Sequence, residues 1–580
     1  MKKTLLSICF TTFLFLIYAQ NLNDILFKVG DESVTATDFI YIYDKNNSFE
    51  KATTDEIRDY LDLYINFKLK VRDGLDIQID TTTNFQRELA SYKSQIAKSY
   101  LTDKDVTEHL IKEAIERSKW MLRASHILVA CPPDATPKDS LIAYNKILDI
   151  RKKIISKEYT FPEAAVQFSE DPSAKDDIGK NGMIQYGNKG DLGYFSTFGL
   201  IYPFETAAYN TPVGNYSMPV RTQFGYHIVW VQDKQPIVSK ISVSHILLLD
   251  SAAHLGNMSS NVKEKIASIQ EKLKEEYIFE TLAEQYSDDP SSKENGGKLD
   301  PFTPTASRRQ GDFIKQCISL EKGQVSEPFS SVIGWHIIKL YEIDRPDIKD
   351  EDMKSTVTSK IQRDARSNKS VESLIEKLKK EYNYNEKGKK TAFNLLLKKL
   401  NVETEMPAET DLLTISGIDK LKPIASFSNQ NIIIQDFIKY LDRFKGTEIS
   451  NHVNNFLEMK YQSFLKEIIL KYEFENLENK YPEYKELISE YRYGMILFEM
   501  NNEKIWSESL KDTVSLEIFY ENMKYNYLDE AENPKPLAEI RSLVLTDYQN
   551  EIEKEWLSQL KEKYPVWINE ELFKVIVKNK

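Results

Sequence analysis

Four short apolar stretches of the chain read as strands, and each holds one histidine. The first pair is Arg123-Ala124-Ser125-His126-Ile127-Leu128-Val129 and Phe224-Gly225-Tyr226-His227-Ile228-Val229-Trp230. The second pair is Ile241-Ser242-Val243-Ser244-His245-Ile246-Leu247-Leu248 and Ile333-Gly334-Trp335-His336-Ile337-Ile338-Lys339. A helical, glycine-containing middle separates the members of each pair. Self-similarity at a period of about 110 residues is too long for a solenoid and fits a duplicated small domain. The chain has only 7 histidines, and four of them fall in these matched positions.

Within the first repeat, Leu141, Tyr144, Leu148 and Ile155 mark a helix, and Phe161, Ala164, Ala165 and Phe168 a second, ending at Ser169-Glu170-Asp171-Pro172-Ser173. Gly190-Asp191-Leu192-Gly193-Tyr194-Phe195 turns the chain into a strand, and Tyr202-Pro203-Phe204-Glu205 opens another helix. The second repeat follows the same plan through Phe279, Leu282, Ser287-Asp288-Asp289-Pro290, Gly297-Lys298-Leu299 and Phe313.

Before the repeats, Gly30-Asp31 makes a hairpin-like turn, Thr35-Ala36-Thr37-Asp38 reads as a capping box, and Ile57, Leu61, Ile65 and Leu69 recur at helical spacing. After them, from about Asp347, the chain is Lys/Glu-rich and mainly helical in pattern. Residues 427–438 echo residues 29–40, which suggests a bipartite helical body with the repeats inserted between its halves; convergence of ordinary strand–turn–helix signals is the alternative.

The expected boundaries are a signal segment 1–19, a helical module 20–118, repeats at 119–236 and 238–345, and a mainly helical region 346–580. The fold class expected is α+β, two small antiparallel sheets packed with helices between helical N- and C-terminal halves.

Composition narrows the function. Charged residues make up 29% with a net charge of −12, which argues against a nucleic-acid partner. Lys2, Lys3 and the apolar run Leu5–Tyr18, followed by Ile17-Tyr18-Ala19 before Gln20, read as a cleaved secretory signal. A run of about fourteen residues is short for a membrane span, though an uncleaved anchor stays open. No transmembrane segment is expected in the mature chain. Cys131 and Cys317 are too few for a disulfide framework. The reading is a soluble exported protein.

Neither hydrolase, zinc-protease nor phosphate-loop signatures occur, and no metal or cofactor is expected. The chain resembles the parvulin (rotamase) family of peptidyl-prolyl isomerases in both repeats, through Ala124-Ser125-His126-Ile127-Leu128, the Phe161 helix leading to Asp171, Leu192-Gly193, Pro203-Phe204 and Gly225-Tyr226-His227-Ile228. The ends resemble those of SurA- and PrsA-type periplasmic foldases, including Glu490-Tyr491-Arg492-Tyr493-Gly494 and Trp556-Leu557.

The resemblance implies a polar cluster of His126, Asp171, Thr222 and His227 facing an apolar wall of Leu192, Leu200 and Phe204, with Phe224 also contacting substrate. The cluster reads either as an electrostatic site against a twisting carbonyl or as a buried polar network that fixes the sheet. A second site, expected to be weak, comprises His245, Asp289, Leu299, Phe313 and His336. There Asp300 replaces a glycine, and Arg309 falls by spacing where the pocket should be apolar. The first repeat also carries an extra segment at 178–187.

By the same resemblance the partners are unfolded polypeptides, outer-membrane β-barrel precursors among them, met in the periplasm. Two functions compete: an isomerase that also chaperones, and a holdase whose parvulin domains only bind. A secretion-system accessory using the repeats as scaffolding is a third reading.

Overall fold

The computed structural model describes residues 23–45, 47–178, 184–306, 311–400, 421–444 and 453–578. The expected signal 1–19, Arg309 and the centre of the extra segment lie outside the described residues. The architecture is α+β, and it divides into two compact units. One comprises the residues up to Lys98 together with those from Glu475 onward; the other is Ser99–Phe474.

The first unit opens with strands β1 (Ile25–Val29) and β2 (Glu32–Thr35), joined at Gly30, whose φ of +54° suits a tight turn. Helix α1 (Ala36–Asp44) starts in the expected capping box, Thr35 with Asp38. Helices α2 (Thr54–Asp76) and α3 (Thr83–Ala97) follow. Ile57, Leu61, Ile65 and Leu69 are all buried along α2, as their spacing requires.

The second unit begins with α4 (Lys104–Ser118), so this helix clusters with the repeats and not with the N-terminal module to which the sequence reading assigned it. The first repeat contains β3 (Trp120–Ala130), α5 (Pro137–Ile155), α6 (Phe161–Phe168), β4 (Asp177–Ile178), β5 (Ile184–Gln185), β6 (Asp191–Phe195), α7 (Tyr202–Asn210), β7 (Val220–Arg221) and β8 (Gly225–Pro236). Its antiparallel sheet runs β6-β3-β8-β7, while β4 and β5, in the extra segment, pair with each other. On α5 the buried face is Ala143, Ile147, Ile150 and Ile154. Leu141 and Ile155, expected to mark that face, are exposed, because the true stripe is rotated by a residue or two.

The second repeat contains β9 (Lys240–Leu249), α8 (Ser260–Lys274), α9 (Phe279–Tyr286), α10 (Gly311–Ser319), β10 (Phe329–Ser330) and β11 (Gly334–Asp344), with strand order β10-β11-β9. Met121 and Tyr194 of the first repeat share one core with Val243, Phe313, Ile314 and Cys317 of the second. Arg123 is buried and bridges Asp191 of its own repeat to Asp312 at 2.7 Å. The tandem repeats are thus packed together, not strung on a linker.

After the repeats come α11 (Asp350–Arg363), α12 (Ser367–Glu381), α13 (Lys389–Leu400), β12 (Pro423–Phe427), β13 (Gln430–Ile433), α14 (Ile434–Leu441) and α15 (Val453–Lys480). The segment β12–β13–α14 repeats the layout of β1–β2–α1. Its helix keeps only half of the capping box: Asp436 accepts the Ile433 N–H at 3.2 Å, but isoleucine offers no side-chain acceptor in return. It packs around Phe437 in a core with Leu374, Leu378 and Leu465.

The chain returns to the first unit through α16 (Pro482–Asn501), a π-helical turn Asn502–Trp506, α17 (Ser507–Lys511), α18 (Thr513–Met523), α19 (Leu537–Lys563), β14 (Val566–Ile568) and α20 (Glu570–Lys578). Strand β14 pairs antiparallel with β1, Phe27 opposite Ile568, giving the order β14-β1-β2. The N-terminal hairpin is therefore completed by the end of the chain and not by its echo at 427–438. Around α2, buried Asp73 accepts from Lys563 Nζ at 2.8 Å and Tyr564 Oη at 3.3 Å, with Trp556 Nε1 at 3.4 Å. Tyr491 stacks on Tyr92, and Arg492 pairs with Asp80.

Candidate functional site

The site of the first repeat is built on the middle of its sheet. His126 lies on β3 and His227 on β8, with Leu128 opposite His227 and Val229 opposite His126. The two histidines are therefore two residues out of register, and the alternation of a strand sends both to one face. The His126 N–H donates to the Gly190 carbonyl at 2.9 Å. A Cβ on Gly190 would stand 2.6 Å from the His126 carbonyl oxygen, and its φ is +84°, so this approach requires glycine.

His126 Nδ1 and His227 Nδ1 are 3.3 Å apart, and His227 Nε2 is 2.8 Å from Thr222 Oγ1. On the other side, His126 Nε2 is 2.9 Å from Asp171 Oδ2, a short contact without good hydrogen-bond alignment. One proton assignment satisfies the chain. The Thr222 hydroxyl donates to His227 Nε2, His227 Nδ1–H donates to His126 Nδ1, and His126 Nε2–H faces the carboxylate.

Burial, with His126 and Arg221 adding to it, pushes His227 down to about 3, so the ring is neutral near pH 7. Asp171 is held below the usual carboxylate range, first by its contact with His126 and then by the Ser173 N–H, against the opposing effect of burial. The same Asp171 caps the short turn Pro172–Ala174. Its roles as turn residue and as histidine partner coexist.

The four polar residues expected from the sequence thus meet in one chain. Of the apolar wall, Phe204 is buried and stands edge-on to both imidazoles, with centroids 5.6 Å from His126 and 5.4 Å from His227. Leu192 and Leu200 are half-buried and pack against the same core. Phe224 is 54% exposed, and its N–H donates to Thr222 Oγ1 at 3.1 Å, which puts it beside the cluster at the surface.

The second repeat assembles similar parts differently. His245 Nε2 is 2.7 Å from Asp289 Oδ2 and 3.1 Å from Ser292 Oγ, and His336 Nε2 is 2.8 Å from Ser331 Oγ. The buried Nδ1 atoms of His245 and His336 have no hydrogen-bond partner. The link between the two imidazoles is missing there. Burial and then His245 push His336 down to about 3.

Phe313 is edge-on to both histidines, while Leu299 packs nearby in the core shared by the repeats. Phe329 stacks on His336 at 5.5 Å, at the register position that Val220 fills in the first repeat.

Sequence reasoning missed Ser331, Ser292 and Phe329. Aligning Ser330-Ser331 on Arg221-Thr222 would have found the first, as the distance to the following histidine is the same. Ser292 stands where the first repeat has Ala174, and its effect depends on the fold of the turn. Among the described residues no group of three His, Cys, Asp or Glu could hold a metal ion.

Residues 126–233 and 245–342 match the family model described as rotamase, PPIC-type PPIase domain. A curated relative, "Chaperone SurA" of Xanthomonas oryzae pv. oryzae, is 26% identical over 310 residues, covering 52% of this chain and 60% of its own. A second "Chaperone SurA", of Hydrogenovibrio crunogenus, is 25% identical over 371 residues, covering 62% of this chain and 75% of its own. The chain thus spans 60% of the length of the first relative. A solved structure of the peptidylprolyl isomerase PrsA of Bacillus anthracis is 30% identical over 24% of this chain and 60% of that one, with a TM-score of 0.17 that carries no argument.

Proposed function

We propose that this chain, which carries two PPIC-type parvulin domains, is a periplasmic peptidyl-prolyl cis–trans isomerase and chaperone whose working centre is the first repeat. The observation that carries the reading is the polar cluster beneath the ring of Phe204, in which His126 and His227 meet through their Nδ1 atoms, Thr222 adjoins His227 and the Asp171 carboxylate lies 2.9 Å from His126.

Rotation about an Xaa-Pro bond is opposed by amide resonance, a barrier of about 18–20 kcal/mol. The twisted amide has lost that resonance, and with it part of the charge separation that water stabilises in the planar form. A pocket that grips the proline ring between Leu192, Leu200 and Phe204 and removes water from the carbonyl favours the twisted state. The neutral His227 presents a fixed dipole without a formal charge, so it offers no ionic stabilisation to the planar amide. Thr222 and Asp171 act as positioning groups that hold the two rings in one tautomer.

The direct test follows cis–trans exchange of an Ala-Pro-Phe peptide with the full chain. Acceleration that is lost in His126→Asn and kept in His245→Asn supports the reading; equal losses, or none, overturn it.

Holding of unfolded chains is assigned to the first unit. It has a groove of about 450 Å³ lined by Tyr92, Leu487, Tyr491, Met495 and Phe498 together with Glu88, Glu490 and Glu499. The occupant proposed is an extended segment bearing aromatic side chains, of the kind an unfolded outer-membrane β-barrel exposes. The aromatic faces would bind it without reading sequence, and the glutamates of the lining would reject acidic stretches. Export across the inner membrane is part of the same proposal. No helix among the described residues is long and apolar enough to cross a membrane.

A further inference from the structure

One residue beyond Phe204 lies a buried charge cluster of the second unit. Glu205 is fully buried, and two guanidinium groups reach it from outside the first repeat's own fold. Arg117, in the last turn of α4, donates to Oε1 at 3.0 Å. Arg366, at the start of α12 and 1% exposed, donates to Oε2 at 3.0 Å and Oε1 at 3.3 Å. Glu113 accepts from Arg117 at 2.6 Å and Asp364 from Arg366 at 2.9 Å, with the Thr206 and Thr197 hydroxyls as further acceptors. The rings of Phe198 and Tyr202 lie 4.0 and 4.8 Å from the Arg366 guanidinium. A carboxylate so far from water is tolerable only while both arginines stay in place.

The same carboxylate reaches into the pocket wall. Its Oε2 accepts the Phe198 N–H at 2.8 Å and its Oε1 the Thr197 hydroxyl at 3.0 Å. Phe198 has φ +64°, a conformation that a phenylalanine does not hold cheaply. The short loop therefore depends on an external hold, and it leads directly to Leu200. One side chain thus pins the loop that leads to Leu200 and the helical turn bearing Phe204, whose ring stands edge-on to both histidines.

We infer that Glu205 is a positioning residue for the first site, and that Arg117 and Arg366, from the helices flanking the repeats, set Phe204 and Leu200 over His126 and His227. The inference rests on the reading of the first repeat as the proline site. It implies that the pocket wall is incomplete in a fragment cut at the repeat's own boundaries, where Glu205 would be left buried without either cation.

The test uses the full chain and separates positioning from mere stability. The Asp103 carboxylate ties the same two helices together, accepting from the Ser373 hydroxyl at 2.5 Å and pairing with Lys377 at 2.8 Å, without touching Glu205. Asp103→Ala is therefore a matched control for a loosened joint. Arg366→Met, Arg366→Lys and Glu205→Gln are compared with it for thermal midpoint, for kcat and KM of peptide isomerisation, and for the ring-proton NMR shifts of His126 and His227. Those shifts report the ring current of Phe204 directly.

The expectation is that Arg366→Met moves both histidine signals and lowers kcat about tenfold, as a misplaced reacting wall does, with a smaller change in KM. Arg366→Lys should recover part of that loss and, being the gentler change, carries the same readouts if Arg366→Met does not fold. Asp103→Ala should lower the midpoint while kcat and the histidine signals stay close to the parent values. Equal losses of kcat in Asp103→Ala and Arg366→Met at equal loss of midpoint, with unmoved histidine signals, overturn the inference. If the parent chain shows no isomerisation, the functional reading fails, and the histidine shifts still decide the positioning role by themselves.

Discussion

His126 and His227 point their Nδ1 atoms at each other across 3.3 Å, while the equivalent atoms of His245 and His336 are buried with no partner. Two sites that share four residue types in the same order differ at the one contact that joins the imidazoles. In the second repeat, His245 is drawn instead to both Asp289 and Ser292, and Phe329 covers the face of His336.

The first prediction follows from that difference. In the full chain, Thr222→Val leaves His227 Nε2 without its hydroxyl, and kcat/KM for an Xaa-Pro peptide should fall about tenfold, equivalent to about 1.4 kcal/mol. Ser331→Ala, the matching change in the second repeat, should leave the rate within about twofold. Exchange spectroscopy on one peptide measures both. A larger effect from Ser331→Ala would place the activity in the wrong repeat.

Phe204 offers a second test. Truncation to alanine costs about 3–5 kcal/mol at a buried phenylalanine and endangers the domain, so leucine is the better probe. Phe204→Leu should weaken proline-peptide binding by about 1–2 kcal/mol, raising KM roughly 5- to 30-fold. Circular dichroism should show the fold retained. Suppression of aggregation of an unfolded β-barrel protein should be unchanged, whereas Phe498→Ser in the first unit should diminish it and leave isomerisation intact. Joint loss of both activities in either variant would mean that holding and isomerisation are not separable.

The buried histidines make stability depend on pH. His227 and His336 are pushed from the ordinary 6.5 to about 3, chiefly by burial. Above pH 6.5 both the folded and the unfolded chain keep these rings neutral, and nothing is lost. As pH falls from 6.5 toward 3, the unfolded chain takes up protons that the folded chain refuses. Stability therefore declines by up to about 1.4 kcal/mol per pH unit per histidine. Asp171 and Asp289, both held below their usual range, add to the decline only below about pH 4. Urea unfolding of the second unit between pH 7 and 4.5 should show this slope, and His336→Asn should make it shallower. An unchanged slope in that variant would contradict the burial argument.

In the first unit, Asp73 gathers Trp556, Lys563 and Tyr564 onto α2. Asp73→Ala removes the shared acceptor and should cost about 2–4 kcal/mol. Because β1 pairs with β14, amide exchange should accelerate together at residues 25–29 and 566–568. Acceleration confined to one of the two strands would show that the ends of the chain do not unfold as one body.

Much of this was legible along the chain, and the reason is local. Strand alternation put His126 and His227 on one face, a capping box started the helix at Ala36, and the turn at Asp171 was written in Ser169-Glu170-Asp171-Pro172. The duplication was equally plain, since each repeat carries its own copy of the pattern. Each of these signals spans a few residues and depends on the backbone periodicity alone.

What only the tertiary structure decided involves residues distant in sequence. The phase of α5, which exposes Leu141 and buries Ile147, depended on where the sheet lay. The partner of the N-terminal hairpin proved to be β14 and not the look-alike segment at 427–438, because backbone pairing is satisfied by whichever strand reaches the edge. Glu205 carries no local signal at all. It reads as an ordinary acid in the first turn of a helix, and it acquires meaning when Arg117, 88 residues before it, and Arg366, 161 residues after it, arrive in a space without water. Periodicity can place a side chain on a face, but charges converging on a buried carboxylate belong to the packing of whole elements, which the sequence does not display.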